Sequence, residues 1–131
     1  MPNVPTLQSF IAGRWIGHQG AQALRSAIDG HVVARTHEES LDFAEATEFA
    51  RRRGVPALLA MDFQTRAQRL KALGKYLMER KEQLYAISHH SGATRVDSWI
   101  DIEGGAGTLF AYASLGTREL PSGNLVHEGP A

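Results

Sequence analysis

A chain of 131 residues, 43% apolar and 21% charged, fits one globular domain with a modest core. Lys plus Arg number 14 and Asp plus Glu number 14, so the net charge is zero and the basic excess of a general nucleic-acid binder is missing. The absence of cysteine excludes disulfides, a thiolate nucleophile and thiolate zinc sites within these residues.

The opening "MPNVPTLQSF" has no basic region leading into a long apolar run, so no signal peptide is expected. No window approaches the length of a membrane-spanning helix. These features predict a cytoplasmic protein with no nucleic-acid partner and no membrane.

In chain order, "SFIAGRWIG" (9–17) mixes aromatic and β-branched residues and reads as a short strand or ribbon bent at Gly13. Residues 18–27 are polar and unpatterned. Asp29-Gly30 marks a turn, and Val32 and Val33 a second short strand, so strands fall within 9–35. Ser40 is the expected N-cap of a helix over about 41–53, with Phe43, Ala46 and Ala50 on one face. Arg51, Arg52 and Arg53 suit the last turn of that helix, and Gly54 its C-terminal cap. Pro56 is expected to break the chain.

Asp62 reads as the N-cap of a long helix over about 63–88, with Leu70, Leu73, Leu77, Leu84 and Ile87 as the buried stripe. Gly92 ends that helix and Asp97 can cap a last one over about 98–115. Trp99, Ile102, Ala106, Leu109 and Ala113 recur along it at helical spacing. The tail changes character: "PSG" is a turn signal and "NLVHEG" reads as a strand. The whole is α/β in class, mostly helical, with short strands at the N-terminus and in the C-terminal tail.

Few residues offer chemistry. Gly104, Gly105 and Gly107 crowd "DIEGGAGTLFAYAS", but a dinucleotide fingerprint needs G-x-G-x-x-G after a strand, and a Walker loop needs a lysine. Neither is present. Small residues inside a helix fit better. Each internal glycine costs about 0.8–1 kcal/mol against alanine, so a close approach or a ligand channel is expected to compensate. His89 and His90 are adjacent, and helical zinc sites want an i, i+4 pair. They read as helix-end polar residues. Asp97, Asp101 and Glu103 are what a surface helix carries, and no G-x-S-x-G elbow exists.

The order and wording of the elements resemble the N-terminal part of the aldehyde dehydrogenase superfamily. The likeness runs through "FIAGRWI", "DGHVVART", "SLDFAEATEFARRRG" and "RAQRLKALGKYLMERKEQLYAISHHSGAT". "SGATRVDSWIDIEGGAGTLFAYASLG" is similar to the branch of ring-cleavage semialdehyde dehydrogenases found in phenylacetate- and benzoyl-CoA-type catabolism.

The resemblance implies a parent enzyme that uses NADP or NAD to oxidise an aldehyde, expected to be a CoA-linked semialdehyde. It implies that the catalytic cysteine, the general-base glutamate, the oxyanion asparagine and the nucleotide-binding core lie downstream. The chain alone is then expected to be inactive and to bind no cofactor, and no catalytic, cofactor or metal residue is assigned in it. Residues 116–131 would begin the family's bridging β-ribbon, which implies a homo-oligomer. Gly104, Gly105 and Gly107 would line the mouth of the aldehyde tunnel. A freestanding small helical interaction module is the alternative, and a small metalloenzyme a third reading. Strands without partners at both ends predict oligomerisation or disordered ends.

Overall fold

The computed structural model describes residues 4–17, 19–37, 40–124 and 126. Within them the chain is mixed α/β, with two small antiparallel sheets followed by four helical rods.

Strands β1 (Ser9–Ile11) and β2 (Arg14–Ile16) form a hairpin. Its two loop residues, Ala12 and Gly13, have φ of 50° and 82°. Positive φ at both positions is the type I′ turn whose twist matches that of the strands. Phe10 and Trp15 face each other across the pair with ring centroids 5.1 Å apart.

Strands β3 (Gly20–Arg25) and β4 (Val32–His37) form a second hairpin, irregular in register. Gly30 turns it at φ 74°. The sequence around β3 has no β-branched residue and no alternation. It becomes a strand because β4 supplies a pairing edge, a tertiary effect that propensity does not carry. Residues 5–7 run along the other edge of β4, where Leu7 N–H donates to the Arg35 carbonyl at 2.7 Å.

The first rod comprises α1 (Phe43–Phe49), a π-turn (Ala50–Gly54) and α2 (Val55–Leu59). Asp42, not Ser40, caps it: the Asp42 carboxylate accepts from Glu45 N–H at 2.8 Å. The expected stop at Gly54 is also corrected, since Gly54 is right-handed helical and the rod runs on to Leu59. The wider π-turn eases the clash that Pro56 would make with the carbonyl four residues back. Arg51, Arg52 and Arg53 therefore sit mid-rod, and Arg52 pairs with Glu48. Of the three residues expected on one face, Ala46 is half-buried, Ala50 is exposed and Phe43 is 70% exposed.

The expected helix over 63–88 is two helices, α3 (Phe63–Met78) and α4 (Lys81–His89). Asp62 caps α3 by accepting from Thr65 N–H. The break falls at Arg80, which folds back: its guanidinium lies 3.6 Å from the Tyr76 ring centroid and donates to the Tyr76 carbonyl at 3.1 Å. Arginine thus satisfies a helix-end acceptor. The leucine stripe is corrected in part, since Leu70, Leu77 and Leu84 are half-buried. Ala67, Gly74 and Tyr85 are the buried positions, whereas Leu73 is 47% and Ile87 68% exposed.

The last rod joins α5 (Arg95–Trp99), a second π-turn (Ile100–Gly104) and α6 (Gly105–Arg118). Its N-cap is Thr94 rather than Asp97. Asp97 occupies the third helical position and accepts from Thr94 N–H at 3.0 Å, which completes a capping box. Residues 116–118, expected in the ribbon, finish α6. The expected strand over 124–129 lies, apart from Asn124 and Val126, outside the described residues.

This last rod runs antiparallel to α4 and α3. Ser98 Oγ donates to Ser88 Oγ at 2.9 Å, Phe110 covers Gly74, and Gly116 meets Ala67. A β-carbon on Gly74 would stand 2.9 Å from the Phe110 ring, and one on Gly116 3.2 Å from Ala67. These are the close approaches that small residues permit.

The π-turn makes this packing continuous. Ser98 and Ala106, both buried, are eight residues apart. A straight α-helix would place them about 80° apart around the axis. One extra residue in the turn leaves seven effective steps, and the two fall within about 20°.

The rods nevertheless cover little apolar surface. A compact monomer of 14.3 kDa exposes about 6,800 Å², and this chain exposes 9924 Å². Counting the twelve undescribed residues as fully exposed still leaves more than about 1,000 Å² in excess.

Candidate functional site

The second π-turn is where the chemistry-bearing side chains gather. Glu103, inside it, points back to α4. Its Oε1 accepts the Tyr85 hydroxyl at 2.6 Å and the Lys81 ammonium at 3.1 Å. The Arg95 guanidinium stacks 3.8 Å from the Tyr85 ring centroid and forms a two-pronged pair with Glu82 at 3.1 and 3.2 Å. The Tyr85 hydroxyl, and then Lys81, hold the Glu103 carboxyl below the usual carboxylate range. The bond to Glu103, with burial, pushes the Tyr85 phenol above its ordinary range.

That arrangement is an anchor. An ionised Glu103 is a weak base near neutrality, and Tyr85 keeps its proton. Composition gave no sign of it, because Lys81, Tyr85 and Glu103 come together only when the last rod turns back along α4. A spacing of four places Lys81 and Tyr85 on one face of α4, the single signal the sequence held.

The expected tunnel residues stand on the far side of this anchor. Gly104 lines an open cleft of about 450 Å³ with Trp99, Ile100 and Glu103. Gly105 and Gly107 lie beyond it on the exposed surface of α6. A β-carbon on any of the three would meet nothing within 4 Å. Among the described residues the compensating close approach expected at these positions is therefore not made; Gly74 and Gly116 make it instead.

A dinucleotide pyrophosphate does not fit this glycine face. Gly104 and Gly105 have helical backbone angles, and Gly105 N–H already donates to the Asp101 and Ile102 carbonyls. A phosphate cradle needs free amides at a strand-to-helix turn.

The other candidates disperse. Asp97 belongs to the cap, Asp101 is exposed, and Glu103 belongs to the anchor. His90 meets His31 edge-on at 5.2 Å between centroids, and its carbonyl accepts from Ala27 N–H at 2.8 Å, docking the second hairpin on the end of α4. Beside it, a cleft of about 510 Å³ is lined by Glu82, His89, His90, Arg95 and Ser98 among others. Among the described residues no group of three or more His, Cys, Asp or Glu is placed to hold a metal, and no helix is long and apolar enough to cross a membrane.

No family model matches the chain. It is 34% identical over 125 residues, 94% of its length, to the 3,4-dehydroadipyl-CoA semialdehyde dehydrogenase of Aromatoleum evansii. The match covers 24% of that relative, so the chain spans about a quarter of the length of the curated relative it matches. The similarity links this chain to aldehyde dehydrogenase-type proteins.

Proposed function

We propose that the chain is the N-terminal segment of an NAD(P)-dependent aldehyde dehydrogenase acting on a CoA-linked semialdehyde in aromatic-acid, phenylacetate-type catabolism. In this reading the 131 residues are scaffold and are inactive by themselves. The observation that carries it is similarity along 94% of the chain to one quarter of a semialdehyde dehydrogenase. The surface excess supports it, because a segment that normally packs against more polypeptide leaves apolar side chains uncovered. NADP or NAD would be held by residues beyond these, since the glycine face does not fit a pyrophosphate. The substrate aldehyde would pass Gly104, Gly105 and Gly107, whose missing side chains leave room for a bulky CoA-bearing molecule. The parent enzyme would be a cytoplasmic homo-oligomer.

The test is complementation. The Aromatoleum evansii relative, cut back by the quarter that this chain matches, is produced with the chain supplied separately. Recovery of semialdehyde oxidation, absent from either piece alone, is the expected result. Soluble pieces that fail to restore any turnover would refute the proposal. A freestanding helical interaction module is the second reading, favoured by the uncovered groove between α3 and α6. It expects no recovery.

A further inference from the structure

The second hairpin meets the helices through its turn, residues 26–31, which lies against the end of α4. Ala27 N–H donates to the His90 carbonyl at 2.8 Å, the only backbone hydrogen bond between this hairpin and the helices among the described residues. Around that bond stand three imidazoles. The His31 ring meets the His90 ring edge-on with centroids 5.2 Å apart, and the His89 ring lies 6.2 Å from that of His90. His31 and His89 are exposed and His90 is half-buried, so protons from water reach all three.

The charged groups around the rings are unevenly placed. On the hairpin side, Asp29 lies 2.5 Å from His31 Nδ1 and also accepts from His31 N–H at 3.2 Å. Those bonds hold the Asp29 carboxyl below its ordinary range, so a proton on His31 has a counter-charge. The Arg25 guanidinium donates to the Gly30 carbonyl of the same turn at 2.9 Å. On the helix side, Glu82, Tyr85 and Arg95 share a cleft with His89 and His90. Glu82 is taken by the two-pronged bond from Arg95, and the Tyr85 hydroxyl by Glu103. Among the described residues no carboxylate forms an ion pair with His89 or His90. A proton on either has the Arg95 cation in its cleft and no carboxylate to balance it.

We propose that His31 and His90 form a pH-operated latch, which holds the second hairpin on α4 while at most one of the two rings is charged and releases it when both are. Imidazole is the side chain that ordinarily changes charge between about pH 5 and 8. The edge-on pair tolerates a first proton, because a cationic edge is drawn to the face of a neutral ring. A second proton sets like charges 5.2 Å apart, and a charged His89 adds a third on the same side. With a single backbone bond holding the turn there, that repulsion opens it locally. The latch is independent of the dehydrogenase reading.

Hydrogen exchange of the 131-residue chain, read amide by amide by NMR from about pH 8 to about pH 5 and corrected for the intrinsic pH dependence of exchange, measures it. Protection of the Ala27 amide falls by about tenfold across the range, while the amides in the middle of α3 keep theirs. His90→Phe leaves a neutral ring in the edge-on position and holds Ala27 protection within about twofold over the same range. Ala27 protection in the wild type that stays within about twofold, at whatever level, overturns the latch. So does an equal fall in His90→Phe, and so does a fall shared equally by α3, which would mark global unfolding instead of local release. Should His90→Phe lose helicity, His31→Phe decides by the same readout.

Discussion

Replacing Gly104, Gly105 and Gly107 together by alanine separates two accounts of the glycine face. Gly104 has φ −63° and Gly105 φ −60°, values that alanine adopts freely, and a β-carbon at any of the three meets nothing within 4 Å. Each helical glycine costs about 0.8–1 kcal/mol relative to alanine, part of it through the freer unfolded chain. With no steric term against it, the triple variant gains about 2.5–3 kcal/mol. For a chain of this size that raises the midpoint of thermal unfolding by roughly 10 °C. The assay is far-ultraviolet circular dichroism during heating, with urea unfolding as a second measure. The urea midpoint should rise at unchanged slope, which marks a true stability change. An unchanged or lowered midpoint would refute the reasoning, since it would mean these glycines already serve this chain. A gain leaves their conservation of space to be explained by something outside these residues.

Four further outcomes are expected. In the full-length dehydrogenase of the proposed reading, Gly104→Leu slows turnover of long CoA-linked aldehydes more than short ones; equal losses would sink the tunnel assignment. Gly74→Leu forces a side chain into the Phe110 ring. It destabilises the chain by about 1–2 kcal/mol net of its better helix propensity, read from the urea midpoint. Deleting Gly104 removes the extra residue of the π-turn and leaves Ser98 and Ala106 in phase, so stability changes by no more than about 1 kcal/mol. Deleting Ala111 instead swings Ala106 about 100° away from Ala113 and Gly116 and abolishes cooperative unfolding, and equal damage from both deletions would refute the phase argument.

The fourth concerns pH. Asp62, Asp97 and Glu103 have carboxyls held below their ordinary range by bonds from Thr65, Thr94 and Tyr85 respectively. A depressed folded value means stability that is full above the unfolded carboxylate pKa and is lost as pH falls through the folded one. The Tyr85 phenol is raised, so its contribution is full below its unfolded value, near 10, and is lost above it. Stability measured across pH should fall at both ends, on the acid side with these carboxyls and on the alkaline side with Tyr85. Tyr85→Phe should remove the alkaline loss.

Much of the local structure was legible in the residues. Asp62 announces α3 because a carboxylate before an apolar periodic run satisfies a free helix N–H. Asp29-Gly30 announces a turn and Gly92 the end of α4, since both glycines take positive φ. T-x-x-D at Thr94 carried the capping box, but Asp97 by itself looked equally able to cap. The glycine stretch was legible as helix, from the missing lysine and the missing strand before it.

What only the tertiary structure decided are the features that need two distant segments at once. β3 exists because β4 lies beside it. The break at Arg80 depends on a side chain folding onto Tyr76, and Pro56 is tolerated because the turn before it is widened. The two π-turns leave no mark in hydrophobic spacing, because periodicity assumes a constant number of residues per turn. Which glycines matter for packing was likewise undecidable from sequence. Gly74 and Gly116 are isolated in the sequence yet sit where another helix presses. Gly104, Gly105 and Gly107 are clustered and conspicuous, yet they face open space. Sequence lists which residues are small; only the approach of a second element decides which of them had to be.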